Sequence, residues 1–284
     1  LTLISLFLAS IGLAGQIAVA APEPIQKIET ITQWCHSLSQ ELRSVNKGSC
    51  EKRDWQLEAR SALGQVIPSI FWGALDVDLD PAKSPRKILV LGALHGDEIA
   101  AVSVVFRWLD FLDRTKKDSF VRKNSYLFIP LVNPDGFYSS PRLRTNVNGV
   151  DLNRNFSTIS WEQKALRYWK DKARSDPRRY PGTKPAGEIE TQVIQRWIDT
   201  FQPDLIISIH APLRLIDHDG SIVFPSIRSP LPVKTLGAFP GSLGTYAGLE
   251  RKIPVVTPEL PAATTLPSVK ALEELFLFIL KAKY

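Results

Sequence analysis

An uninterrupted run of apolar and small residues, Ile88-Leu89-Val90-Leu91-Gly92-Ala93-Leu94, drives straight into His95-Gly96-Asp97-Glu98. A run this short, with no polar alternation, fits a strand buried on both faces in a parallel or mixed sheet. Ile99–Leu112 follows with helical character, so His95 and Glu98 leave the strand end together on a glycine-containing turn. An imidazole nitrogen and a carboxylate oxygen three positions apart are good zinc ligands. The pair alone does not decide the matter, because a buried histidine can equally be satisfied by a backbone carbonyl. A metal site needs a third ligand, a base and an anion-binding group from elsewhere in the chain.

The 284 residues can bury a full core, and 44% apolar with 23% charged residues is ordinary for a globular protein. A net charge of +6 suits anionic surfaces or substrates. No Lys/Arg block is long enough to argue for nucleic acid, and no zinc-finger or basic-helix pattern occurs.

Residues 1–20 carry no charge and end in Ala18-Val19-Ala20, which reads as a secretory signal peptide cleaved between Ala20 and Ala21. An uncleaved membrane anchor is the competing reading. Glycines, Ser10, Gln16 and the Ala-rich exit favour cleavage, leaving no stable membrane anchor. No methionine occurs, position 1 included, so a start site upstream of Leu1 is expected. Cys35 and Cys50 are the only cysteines, and in an exported protein such a pair predicts a disulfide.

Apolar spacing predicts a helix over Ile25–Val45, stopped by Asn46-Lys47-Gly48, with Cys50 on a strand-like piece behind it. Trp55–Ile70 reads as strand, turn and strand, continued by Phe71–Leu75, with a loop over Asp76–Arg86. Further strands are expected at Ile88–Leu94, Tyr126–Val132, Asp204–Ile209 and Ile253–Thr257. Helices are expected at Ile99–Leu112, Trp161–Arg174, Gly187–Phe201 and Ser268–Lys283, and a turn at Asn133-Pro134-Asp135-Gly136. Strands alternating with helices predict an α/β protein with a mixed, mostly parallel central sheet. The expected organisation is a signal peptide (1–20), an N-terminal helical extension (21–56) and a catalytic domain (57–284).

His95/Glu98, Asn133–Gly136, His210 and Glu259 all follow predicted strand ends, the edge where open α/β sheets bind ligands. His210 closes the apolar strand Leu205–Ile209 and, with His95 and Glu98, completes a His2Glu site for one zinc ion with a position left for water. Glu259, between Pro258 and Pro261, is then the candidate general base. Arg144, Asn153 and Arg154 supply planar cations and amides, suited to a substrate carboxylate and to an oxyanion.

Together His95-x-x-Glu98, Asn133-Pro134-Asp135-Gly136, Arg144, Gly149-Val150-Asp151-Leu152-Asn153-Arg154-Asn155-Phe156, Ser208-Ile209-His210 and Pro258-Glu259 resemble the zinc metallocarboxypeptidases, in family order over Leu57 to Lys281. The resemblance implies a sheet with helices on both faces, zinc on His95, Glu98 and His210, and Glu259 as base. It implies that Arg144 polarises the scissile carbonyl and that Asn153 and Arg154 grip the terminal carboxylate. Asp151 would hydrogen-bond the non-ligating nitrogen of His95.

Within the family, Tyr180-Pro181-Gly182, Ser208-Ile209-His210-Ala211-Pro212 and Phe239–Tyr246 are most similar to the bacterial murein peptide amidases and D,L-carboxypeptidases. That resemblance implies a periplasmic or secreted enzyme cutting the γ-D-glutamyl–meso-diaminopimelate bond of peptidoglycan peptides. Asp217 and Asp219, close to His210 in sequence, are candidates for binding the substrate's second ammonium, or are simply a polar loop. The pancreatic pattern has a mobile tyrosine well upstream of the catalytic Glu, whereas Tyr246 lies just before Glu259, so that role is not carried over to it. A general carboxypeptidase or deacylase, and a catalytically silent cell-wall binding protein, are the alternatives. Nothing in the sequence bears on oligomeric state.

Overall fold

The computed structural model describes residues 27–73 and 85–284. The signal-peptide reading and most of the loop expected at Asp76–Arg86 fall outside the described residues.

Among the described residues, six strands form one sheet in the order β1-β3-β2-β4-β6-β5. They are β1 (Ile70–Trp72), β2 (Lys87–Leu91), β3 (Ser125–Ile129), β4 (Leu205–Ser208), β5 (Leu215–Asp219) and β6 (Val255–Glu259). The four inner strands run parallel, and β1 and β5 close the edges antiparallel. The expected mixed, mostly parallel sheet is therefore the architecture observed. β2 and β4 read as unbroken apolar runs because both of their faces are covered. Ile88 and Val90 enter the core on one side of β2, while Leu89 and Leu91 enter the core on the other.

Helices α3 (Ala100–Arg114) and α7 (Val269–Leu280) cover the first face, where the rings of Trp108 and Phe276 stack 4.5 Å apart. On the second face lie α6 (Ile189–Phe201) and a π-helix, Gly244–Glu250. Among the described residues the remaining α-helices are α1 (Ile31–Glu41), α2 (Lys47–Glu51), α4 (Pro134–Tyr138) and α5 (Trp161–Asp171).

Several local expectations need correction. Asn46 does not end the first helix; its side chain accepts from Ser49 N and starts α2, so Cys50 is helical. Asx capping of the next helix uses the same residue type as a helix stop, and sequence alone does not separate them. Within Trp55–Ser69 the two arms pair through bridges at Gln56/Ser69 and Arg60/Val66, and the continuous strand, β1, begins at Ile70. The predicted Asn133–Gly136 turn begins α4, with Asn133 as its cap. Asp217 and Asp219 lie on strand β5, not on a loop.

The Cys35–Cys50 disulfide joins α1 to α2, with Cα atoms 5.7 Å apart. Trp34 and Trp55 pack edge to face at 4.9 Å and both meet Phe106 of α3, so this extension shares the main core. Among the described residues no helix is long and apolar enough to cross a membrane.

Candidate active site

Register carries the site residues together. Ile88 pairs with Leu205 and Leu91 with Ser208, so β2 and β4 finish side by side and release His95 and His210 at the same edge. Beyond β4, His210 remains bridged backbone to backbone with Glu259, the last residue of β6, and Leu260 N donates to His210 O at 2.7 Å. The chain leaves β2 through Ala93, whose φ of 45° lies in the left-handed region. Gly96 then rests on α4 so closely that a Cβ there would fall 2.3 Å from the Gly136 carbonyl carbon. Glycine is required at this crossing of two strand-end turns.

His95, Glu98 and His210 are all buried, and their ligand atoms lie within 4.8 Å of one another. His95 Nδ1 is 2.9 Å from Glu98 Oε1, His210 Nδ1 is 2.9 Å from Glu98 Oε2, and the two Nδ1 atoms are 3.0 Å apart. The opposite ring nitrogens are engaged elsewhere. His95 Nε2 donates to Asp151 Oδ1 at 3.0 Å, and His210 Nε2 is 3.1 Å from Ser208 Oγ. Burial opposes ionisation of Asp151, but the Arg144 guanidinium, together with the hydrogen-bonded His95 ring, overcomes it and holds its carboxyl well below the ordinary value. An ionised carboxylate only accepts, so His95 carries a proton on Nε2, which leaves Nδ1, beside Glu98, as the ring atom that a cation would engage. Burial likewise opposes ionisation of Glu98, and the imidazoles of His95 and His210 drive its carboxyl far down. Lone pairs converging at about 3 Å with a carboxylate among them fit a cation, and the N2O donor set fits zinc.

Arg144 braces this arrangement. Its Nε and Nη2 each donate to Asp151 Oδ2 at 3.2 Å, and its Nη1 donates to Glu98 Oε1 at 3.3 Å. A guanidinium has five N–H groups, so two remain for a ligand. Asp151 caps the short 3-10 helix Leu152–Arg154 and accepts from Asn153 N. The Asn153 amide oxygen accepts from Leu243 N at 2.9 Å, leaving its NH2 available to the cavity. The Arg154 guanidinium lies 4.5 Å from the centre of the Phe239 ring and donates to Asn153 O.

These groups line one cavity of about 420 Å³, together with Glu259, Asp217 and Asp219. Every sequence-predicted metal, catalytic and substrate residue reaches it; Asp151 supports it from behind, and Cys35 and Cys50 lie in the N-terminal helices. Glu259 accepts from Leu213 N at 3.4 Å, and burial, reinforced by the charge of Glu98, raises its pKa. Asp219 is pushed up to about 6 by burial and by the neighbouring charge of Asp217. The backbone makes room for it: a Cβ on Gly244 would stand 1.9 Å from Asp219 Oδ2. Asp217 is occupied in part, accepting from Leu236 N at 2.8 Å. Tyr246 does not reach the cavity; it is buried against Phe156, ring centroids 5.6 Å apart.

Sequence reasoning missed the rim residues Asp176, Arg178 and Arg179, and it missed Asn146. Asn146 is fully buried and closes the loop between Arg144 and Asp151. Its Oδ1 accepts from Asn148 N and Val150 N at 3.1 Å, and its Nδ2 donates to Glu188 at 2.7 Å and Glu190 at 3.2 Å. An asparagine in a Gly-containing loop gives no sign of such saturation until its partners are in place.

Comparison with known proteins follows the same lines. Residues 73–216 match the family described as zinc carboxypeptidase. Glu259 lies beyond the matched residues, so its position at the site comes from the β4–β6 pairing. The chain is 34% identical to murein peptide amidase A of Escherichia coli K12 over 209 residues, covering 71% of this chain and 79% of that protein. The crystal structure of a murein-tripeptide amidase from Escherichia coli O157 aligns with a TM-score of 0.50 at 26% identity, over 80% of this chain and 91% of that one. Thrombin activatable fibrinolysis inhibitor shares the fold, with a TM-score of 0.63 at 16% identity over 88% and 71% of the two chains. A matching family profile, a third of the residues shared with a relative over most of both chains, and a shared fold lead to one statement: the chain belongs to the zinc carboxypeptidase family and is a peptide hydrolase.

Proposed function

We propose that this protein is a zinc-dependent hydrolase of peptidoglycan peptides that cuts the bond between γ-D-glutamate and meso-diaminopimelate. The observation carrying the reading is the 34% identity to murein peptide amidase A over 71% of the chain. His95 Nδ1, His210 Nδ1 and the Glu98 carboxylate would hold one zinc ion. When bound, zinc supplies Lewis acidity that polarises a carbonyl and acidifies water. Glu259 accepts the proton of the attacking water on its carboxylate and passes it to the leaving amine. Its raised pKa brings donor and acceptor forms closer to working pH. The free N–H groups of Arg144 meet the developing oxyanion, while the Asn153 amide and the Arg154 guanidinium orient the substrate carboxylate. Asp151 keeps His95 in the tautomer that offers Nδ1.

Asp217 and Asp219 are the proposed receivers of the second ammonium group of diaminopimelate, at the side of the cavity formed by β5. Residues 1–20 as a signal peptide would bring residues 21–56, the extension, and 57–284, the catalytic domain, to the periplasm or exterior, where such a substrate lies.

Mass spectrometry of muropeptides incubated with zinc-loaded protein tests the activity. Release of meso-diaminopimelate from the γ-D-glutamyl tripeptide is the expected result. Release of C-terminal residues from ordinary peptides, with the tripeptide untouched, would replace this reading with a general carboxypeptidase. A metal-loaded protein inert on both would leave a binding protein.

A further inference from the structure

Residues 162–184 hold eight lysines and arginines against three acids, a surplus of five in a chain whose net charge is +6. The charge of the whole protein is thus concentrated in α5 and the segment after it. Among the described residues no salt bridge reaches Lys164, Arg167, Lys170, Lys172, Arg174 or Lys184, and all six are exposed. Unpaired like charges within a Debye length of about 8 Å repel one another, so such a strip is stabilised by an anionic occupant.

The strip runs into the active-site cavity. Trp161 Nε1 donates to Arg154 O at 2.8 Å, the Tyr168 ring meets Phe239 at 5.7 Å, and Trp169 meets Tyr180 at 5.0 Å. Arg178 and Arg179, at the far end of the strip, line the cavity. A ligand lying on α5 and continuing along these arginines arrives where a peptide is cut. That continuity points to a polymer carrying peptides, and its charge must be negative.

We infer that the exposed basic strip of residues 162–184 is a docking surface for the carboxylate-rich cell-wall polymer whose peptides the cavity takes. The inference rests on the proposed peptidoglycan substrate for its occupant and on the charge distribution for its position. Lysines and arginines on an open helix face hold carboxylates as point charges without selecting a sequence. The strip therefore concentrates the enzyme on the polymer, and the cavity selects the bond.

The test is co-sedimentation of the full protein with insoluble peptidoglycan, competed by poly-γ-glutamate or by duplex DNA. The variant Lys164→Glu/Arg167→Glu/Lys170→Glu/Lys172→Glu is compared with the same positions changed to Gln, which reports on the strip if charge reversal disturbs folding. Binding is expected to be weakened by salt, competed by poly-γ-glutamate, and reduced about tenfold or more in both variants. Turnover of the soluble tripeptide should stay within about twofold, since none of the four residues lines the cavity. Undiminished sedimentation of folded variants overturns the inference, and DNA competing better than poly-γ-glutamate assigns the strip to nucleic acid instead. If the wild-type protein leaves the tripeptide intact, the proposed activity fails, while the sedimentation comparison still decides the strip.

Discussion

The Nδ1 atoms of His95 and His210 lie 3.0 Å apart, each also 2.9 Å from an oxygen of Glu98. Two imidazole nitrogens and a carboxylate gathered this closely offer a cation three ligand atoms at once, so a bound cation should stabilise the fold as well as serve the reaction. At a thousandfold excess over its dissociation constant a metal adds about 4 kcal/mol. Chelation should lower the melting temperature by several degrees, zinc should restore it, and His210→Ala should abolish that response. A melting curve indifferent to zinc would remove the metal site from the account.

Glu259→Gln keeps the shape of the side chain and removes its ability to take a proton. Zinc content should be unchanged while kcat falls by about a hundredfold to ten-thousandfold, the usual contribution of a positioned acid–base group. Retention of more than a tenth of wild-type kcat would exclude Glu259 as the base.

For Asp151→Asn the expected defect lies in the metal. An amide in place of Asp151 withdraws the ionised acceptor that fixes the His95 tautomer, and zinc affinity should weaken by about tenfold to a hundredfold. Competition against a chromogenic chelator measures this without reference to turnover.

Asn146→Ala should act at a distance. It strips donors from Glu188 and Glu190 and an acceptor from two backbone N–H groups, costing about 1–3 kcal/mol for each buried group left unpaired. Because the loop it closes carries Arg144 and Asp151, kcat should fall more than KM rises. A denaturation curve and steady-state kinetics on the same preparation separate the two effects.

Asp219 gives a pH signature. Its carboxyl is raised from 3.8 to about 6, so the folded state binds this proton more tightly than the unfolded state does. Its contribution therefore becomes destabilising as pH rises from about 4 to about 6, remains so above, and is relieved as pH falls. Asp219→Asn should melt higher than wild type at pH 8 and lose that advantage at pH 4. A variant less stable at both pH values would show that the carboxylate is supported by partners rather than strained.

Much of this site is readable along the chain. The apolar runs before His95 and His210 can only be interior strands, because nothing in them faces water. A histidine or carboxylate directly behind such a run emerges at a sheet edge. That logic reaches His95, Glu98, His210 and Glu259, and the Arg144 to Asn155 segment is recognisable from its family spacing. It fails where function depends on partners distant in sequence. Asn146 gains its role from Glu188 and Glu190 at the start of α6. The Asp217 and Asp219 segment is a strand only because β6 lies beside it, with Asp219 opposite Val255. Asn46 starts a helix where a stop was equally consistent with its chemistry. Residue type and spacing along the chain therefore marked the candidate ligands and the order of the strands' apolar runs. The strand register, the side-chain network that turns both Nδ1 atoms inward, and the meeting of the basic strip with the cavity were decided by tertiary structure, because each depends on distances between segments that sequence does not encode locally.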